Sequence, residues 1–168
     1  TTQLDFNLPE RFGLDYIATD GSKQRPIMLH RAIFGSLERF FGIMTENYAG
    51  DFPFWLAPEQ IRLLPVTDEV LGYAEELQNK LKAAGIRASI DRSGDRLGKL
   101  IRTGEQMKFP VLAVIGAKEA EQGAASLRSR RDGDLGVITK ERLITAAQSA
   151  NQERHASLCF ADNGGIGE

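Results

Sequence analysis

The stretch LHRAIFGSLERFFGI, residues 29–43, sets His30 at the end of a short apolar run and follows it with arginines at 31 and 39. An imidazole can ligate a metal, and a guanidinium is a permanent cation whose planar fork fits phosphate oxygens and whose face stacks on a base. Together they suit a bound metal and a bound anion. A plain structural reading competes: His30 caps a strand, and Arg31 and Arg39 occupy the wet side of an amphipathic helix. A second set of cations, Lys99, Arg102, Lys108, Arg128, Arg130 and Arg131, could form a phosphate-binding patch, although a pair such as Arg130-Arg131 is also what a solvated turn looks like.

Other chemistry-bearing arrangements are missing from the sequence. It holds no phosphate loop of the GxxxxGK(S/T) kind, no GxSxG elbow and no CxxC pair, and the GGIG near its end is expected neither to follow a strand nor to open a helix. The single cysteine, Cys159, can build neither an internal disulfide nor a zinc site, so a reducing, cytoplasmic setting is expected. With 168 residues, 42% hydrophobic and 26% charged, the composition is that of a soluble globular protein. No apolar run approaches the ~20 residues that cross a bilayer, so no membrane span is expected. The opening TTQLDFNLPE lacks both a secretory signal and an initiating Met, and the chain is expected to begin mid-protein. A net charge of -2 excludes an overall basic character, so contacts to nucleic acid would have to be local.

The elements that must carry these residues are read from periodicity. Residues 12–18 and 26–29 are strand-like around the turn signal Asp20-Gly21, which predicts an antiparallel hairpin. From 30 onward Ile33, Phe34, Leu37, Phe41, Met44 and Tyr48 recur at helical spacing, predicting a helix that Gly50 ends. The segment DFPFWLAP, 51–58, holds two prolines and three aromatics and reads as a packed linker and domain boundary. Strands at 61–66, 86–90 and 111–115 then alternate with helices through 70–84 and from 95, which predicts a parallel sheet with right-handed crossovers. Residues 125–130 and 135–138 add an edge pair around Asp132-Gly133, and a helix follows from 139 to about 149. The fold class is therefore α/β with a mixed five-stranded sheet. The polar, glycine-rich residues 151–168 are expected to be a disordered tail.

RPIMLHRAIFGSLERFFGIMTENYAGDFPFWLAPEQ, with KLKAAGIRASID, RLGKLIR, VIGAKEAE and LRSRRDGDLG further on, resembles the threonyl-tRNA synthetases over roughly residues 1–148: their third signature motif and the junction into their anticodon-binding domain. The resemblance implies three parts. Residues 1–50 would be a hairpin and helix from a class II catalytic core, 51–150 a three-layer anticodon-binding domain, and 151–168 the tail.

It also implies roles. Arg39 in GSLER matches the motif's ATP-contacting, catalytic arginine, with Ser36 beside the nucleotide and Gln3 near the amino-acid substrate. His30 matches a zinc ligand; in the family the metal has two further protein ligands and holds threonine through its amino and hydroxyl groups, which rejects valine. Those other ligands and the first two signature motifs would precede Thr1, so the resemblance implies that this chain alone does not form the adenylate. Glu119 and Arg128 match positions that contact anticodon bases, with Arg96 a third; Gly94 stands where relatives carry a polar side chain. The implied partners are threonine tRNA, Mg-ATP and threonine, in an enzyme expected to be a homodimer. Two other readings are a stand-alone, non-catalytic RNA-binding module and an unrelated doubly wound ligand-binding domain; the second would need a glycine-rich first turn that LPVTDEV lacks.

Overall fold

Short strands and capped turns carry the first part of the chain. In the computed structural model, which describes residues 1–160, β1 (Thr2–Asp5) leads into α1 (Asn7–Arg11). The Asp5 carboxylate starts that helix by accepting the backbone N–H of Asn7 and of Leu8, at 2.9 and 3.0 Å. The two-residue strands β2 (Tyr16–Ile17) and β3 (Lys23–Gln24) pair with each other, and β4 (Met28–Arg31) runs antiparallel to β1 with His30 opposite Gln3. This corrects the expected hairpin, because the 26–29 strand does not return against 12–18. Pro26 has no N–H to donate, so the ladder stops at Gln24 and the chain takes a new partner.

The helix expected from 30 begins only at Leu37, as α2 (Leu37–Tyr48). His30 and Arg31 are strand residues, and Ile33 and Phe34 lie in the connection, where Gly35 at φ +71 takes a left-handed turn that a helix cannot contain. No residue of α2 is buried, and Leu4, Leu29, Ile33, Leu37 and Ile43 are all exposed.

A second compact unit begins at Thr45, inside α2. The last turn of α2 binds forward: the Asp51 N–H donates to the Tyr48 carbonyl at 2.8 Å, and the Tyr48 and Phe52 rings lie 5.6 Å apart. After the linker, where Phe54 is fully buried, come β5 (Ile61–Pro65), a 3-10 turn at Asp68–Val70, α3 (Leu71–Ala83), β6 (Ala88–Ile90), α4 (Leu97–Gln106), β7 (Val111–Ile115), α5 (Ala117–Glu121), β8 (Ala124–Ser129), β9 (Gly133–Thr139) and α6 (Lys140–Gln152). The sheet order is β6-β5-β7-β8-β9. β5 is parallel to both neighbours, and β8 is antiparallel to both β7 and β9, so the mixed five-stranded sheet is as expected.

Period-two alternation sorts the side chains to two faces. Ile61, Leu63, Val111, Ala113, Ile115 and Leu127 join α3 and α6 in the larger core, while Leu64 and Leu112 meet Leu100 of α4 on the other face. A Cβ on Gly104 would come within 2.6 Å of a Leu112 methyl, so the absent side chain is what lets α4 sit this close to the sheet. The β8–β9 ladder carries a register shift between Leu127 and Arg128.

The tail expected from 151 is ordered as far as the structure describes it. α6 runs to Gln152, the Phe54 N–H donates to the Ala156 carbonyl at 2.9 Å, and Leu158 is buried against the larger core. Apolar Leu158 and Phe160 supply the burial that a purely polar tail would lack. Residues 161–168 lie outside the described part of the chain.

Candidate functional site

In the first unit the residues expected to act sit on two small devices. Gln3 and His30 face each other across the β1–β4 ladder, and His30 Nε2 meets Asp5 Oδ2 at 3.0 Å. The Leu8 N–H holds the Asp5 carboxyl below its ordinary value against partial desolvation, and the Asn7 N–H and the His30 ring add to the effect. The second device is the start of α2. The Ser36 hydroxyl accepts the Arg39 backbone N–H at 3.3 Å and donates to the Glu38 carboxylate at 2.6 Å, which holds that carboxyl below its usual range. The Arg39 side chain is exposed in the first turn.

A catalytic zinc that keeps an open position takes three protein donors. Among the described residues no three His, Cys, Asp or Glu side chains gather to hold a metal, and His30 is already paired with Asp5. The residues present do not by themselves make the zinc site that His30 was expected to join.

In the second unit the chemistry divides between one rim of the sheet and one flank. Loops leaving the carboxyl ends of β5 and β6 enclose a cavity of about 450 Å³ lined by Asp68, Asp91, Arg92 and Asp95. Burial alone would push the Asp91 carboxyl up; the Ser93 N–H and hydroxyl, with the Arg62 charge, outweigh it and hold the carboxyl below its ordinary value. Arg96 begins α4 at this rim and is exposed. Glu119, after the carboxyl end of β7, turns back on its own helix: its carboxylate accepts the Gly116 N–H at 3.0 Å, which caps α5.

The flank is basic. Asp51, Glu105, Phe109, Arg128, Arg130 and Arg131 line a cavity of about 560 Å³ between α4 and the β8–β9 turn. Arg130 Nε donates to Asp51 Oδ1 at 3.0 Å and its Nη1 to the Glu105 carbonyl at 2.7 Å, while Arg131 Nη2 lies 3.5 Å from Asp51 Oδ2. Arg128 stands opposite Leu112 on the α4 face, with Nε 3.4 Å from Glu105 Oε1.

The fold thus brings Arg96 and Glu119 to the rim beyond the carboxyl ends of β6 and β7, strands separated in the sheet by β5. Arg128 is elsewhere: its partner Leu112 lies four residues before Gly116, so it sits about 13 Å back along β7 from the helix of Glu119. The patch of six cations is divided too. Lys99 pairs with Asp95 at 2.9 Å, and Lys108 donates to the Ala49 carbonyl at the end of α2, so only Arg128, Arg130 and Arg131 share the flank cavity. Asp51 and Glu105 were not singled out in the sequence; no local pattern links them to the arginines they hold.

This unit is what the anticodon binding domain model of protein families matches, over residues 60–150, from the residue before β5 into α6. The chain belongs to the anticodon-binding domain family. Residues 1–48, ahead of that domain, match the model of the tRNA synthetase class II core domain (G, H, P, S and T). The chain carrying the anticodon-binding domain is 88% identical over all 168 residues to a threonine–tRNA ligase of Synechococcus sp. (strain CC9311), of which it spans 27%. It is 56% identical over 158 residues, or 94% of its length, to the threonine–tRNA ligase of Thermosynechococcus vestitus, of which it spans 26%. The chain therefore covers about a quarter of these relatives.

Among solved structures, the RNA binding domain of threonyl-tRNA synthetase from Cryptosporidium parvum Iowa II superposes with a TM-score of 0.65 at 32% identity, covering 95% of this chain and 39% of that one. Prolyl-tRNA synthetase from the same organism shares the fold, with a TM-score of 0.60 at 20% identity over 88% of this chain and 32% of its own. Among the described residues no helix is long and apolar enough to cross a membrane.

Proposed function

We propose that this chain belongs to a threonine–tRNA ligase, in which its second unit reads the anticodon of threonine tRNA and its first contributes side chains to the site where threonine and ATP react. The observation that carries this reading is 88% identity to such a ligase along the whole chain, together with the anticodon binding domain match over residues 60–150, which spans the five-stranded sheet.

The chemistry available to the second unit suits unpaired bases. Splayed anticodon bases expose edges that an arginine fork or a carboxylate can pair with. Arg128 offers donors to acceptors such as guanine O6 and N7. Arg96 offers a cation at the rim, and Glu119 offers acceptor capacity to base amino groups beyond the bond that caps α5. Phosphates would favour the arginine flank over the rim, where Asp68, Asp91 and Asp95 repel them.

In the first unit Arg39 is assigned to the ATP phosphates and base, Ser36 to the nucleotide's vicinity and Gln3 to the amino acid. His30 is assigned as one ligand of a zinc whose other donors come from the remainder of the enzyme, and no step of this reading depends on it. The whole enzyme is proposed to act as a cytoplasmic homodimer. The chain by itself is proposed not to activate threonine.

The test is binding of the threonine tRNA anticodon stem-loop to the 168-residue chain at fixed salt, beside the same hairpin with its loop scrambled. Preference for the authentic loop supports the reading, and equal affinity refutes it. Pyrophosphate exchange with threonine and ATP should stay at background; clear exchange would overturn the incomplete-site assignment. A second reading, a non-catalytic RNA-binding module, rests on one observation: every group the RNA reading uses lies in the second unit.

A further inference from the structure

Three arginines and two carboxylates line the flank cavity, and the carboxylates are divided unequally among them. Asp51 is shared by Arg130 and Arg131, and Arg130 is held again by the Glu105 carbonyl, with only 29% of its side chain exposed. Arg130 and Arg131 therefore serve mainly to tie residue 51 to the β8–β9 turn. Arg128 is held less tightly: its side chain is 50% exposed and its closest ion-pair contact is the 3.4 Å approach of Nε to Glu105, itself 50% exposed. Neither of its terminal nitrogens makes a hydrogen bond among the described residues. Glu105 owes its position to its neighbour, because bare Gly104 packs on Leu112, the residue across the ladder from Arg128.

We propose that Glu105 is a specificity-determining residue of the RNA surface, acting through Arg128: its charge offsets the guanidinium toward phosphate while leaving the terminal fork open to a base edge. The proposal rests on the anticodon reading above. A phosphate docking on Arg128 would bring its negative charge within a few ångströms of the Glu105 carboxylate, and like charges at that distance repel. A base edge brings only neutral acceptors to the same fork and meets no such penalty. Sequence-independent RNA binding draws almost all its strength from phosphate contacts, so Glu105 weakens it selectively and leaves loop-specific binding nearly intact. Asp134, opposite Arg128 in β9, is occupied with the Gly136 N–H at 2.9 Å.

The experiment measures binding of the threonine tRNA anticodon stem-loop and of the loop-scrambled hairpin by fluorescence anisotropy, from about 50 to 200 mM salt. The proteins are the full chain and its Glu105→Gln, Arg128→Ala and doubly substituted forms, each checked for an unchanged melting temperature. Glu105→Gln should tighten the scrambled hairpin about fivefold and steepen its salt slope by up to roughly one, while moving the authentic hairpin less than about twofold. In the Arg128→Ala background the same change should have little effect. Equal tightening of both hairpins, no tightening of either, or an undiminished effect without Arg128 overturns the proposal. If the unsubstituted chain cannot tell the two hairpins apart, the anticodon reading falls and takes this inference with it; discrimination that survives while Glu105→Gln does nothing sinks the inference alone.

Discussion

The Gln60 carboxamide and the Asn151 side chain, 91 positions apart, meet at 3.0 Å, Nε2 of the first donating to Oδ1 of the second. Gln60 is fully buried, and its other bonds go to the Phe54 carbonyl at 2.9 Å and from the Arg87 N–H at 2.9 Å. One amide therefore joins the linker, the approach to β6 and the end of α6. Replacing it with leucine leaves those partners unsatisfied in the interior, which costs about 1–3 kcal/mol for each buried group. Gln60→Leu should lower the urea midpoint of the second unit, and ending the chain at residue 150 should do the same by removing Asn151 and Leu158; an unchanged midpoint for either would contradict this account.

Gly104 gives a second test. Alanine would gain about 1 kcal/mol of helix propensity but would meet Leu112 methyls at 2.6 and 2.9 Å in a closed core, a strain of roughly 1–3 kcal/mol. The packing loss outweighs the gain, so Gly104→Ala should be modestly destabilising in chemical denaturation and Gly104→Val much more so. A stabilised alanine variant would show that Leu112 yields freely.

Alkaline titration offers a third. Burial, then the charges of Glu141 and Glu76, push the Tyr73 hydroxyl up to about 12, and that hydroxyl donates to the Ala124 carbonyl at 3.1 Å. An unfolded tyrosine ionises near ~10, so folding favours the neutral phenol. The stabilisation is complete below about pH 10 and is lost as pH rises through 12. Absorbance at 295 nm should show one of the three tyrosines titrating late in the folded protein, and Tyr73→Phe should remove that step.

Arg128→Ala should weaken binding of the threonine tRNA anticodon stem-loop by ~1–3 kcal/mol, about fivefold to 150-fold, if its fork reads a base. Equal weakening toward the scrambled hairpin would reassign it to phosphate.

The parallel half of the sheet was legible because its signals are local. VLAVI between Pro110 and Gly116 is an apolar run in a strand covered on both faces, and α3 shows its stripe through Leu77 and Leu81 before Gly85 stops it. The five-residue helices α1 and α5 were missed, since neither holds two turns of periodicity. The start of α2 was misplaced because Ile33 and Phe34 mimic its spacing while Gly35 forbids it. At the candidate site the sequence singled out Arg128 but not Glu105, whose carboxylate lies 3.4 Å from its Nε. The Arg130–Asp51 contact joins residues 79 positions apart, and such pairings exist only once the sheet has formed.

The two outermost strands leave the sheet with rows of unpaired amides, the usual route by which β proteins zip into larger aggregates. Neither invites it. β6 is only three residues long, and β9 carries Asp134, a left-handed Gly136 and the offset beside Arg128. A second sheet would find no straight template there, so self-association of the isolated domain at high concentration should proceed through its exposed apolar side chains and show no gain in β content by infrared spectroscopy.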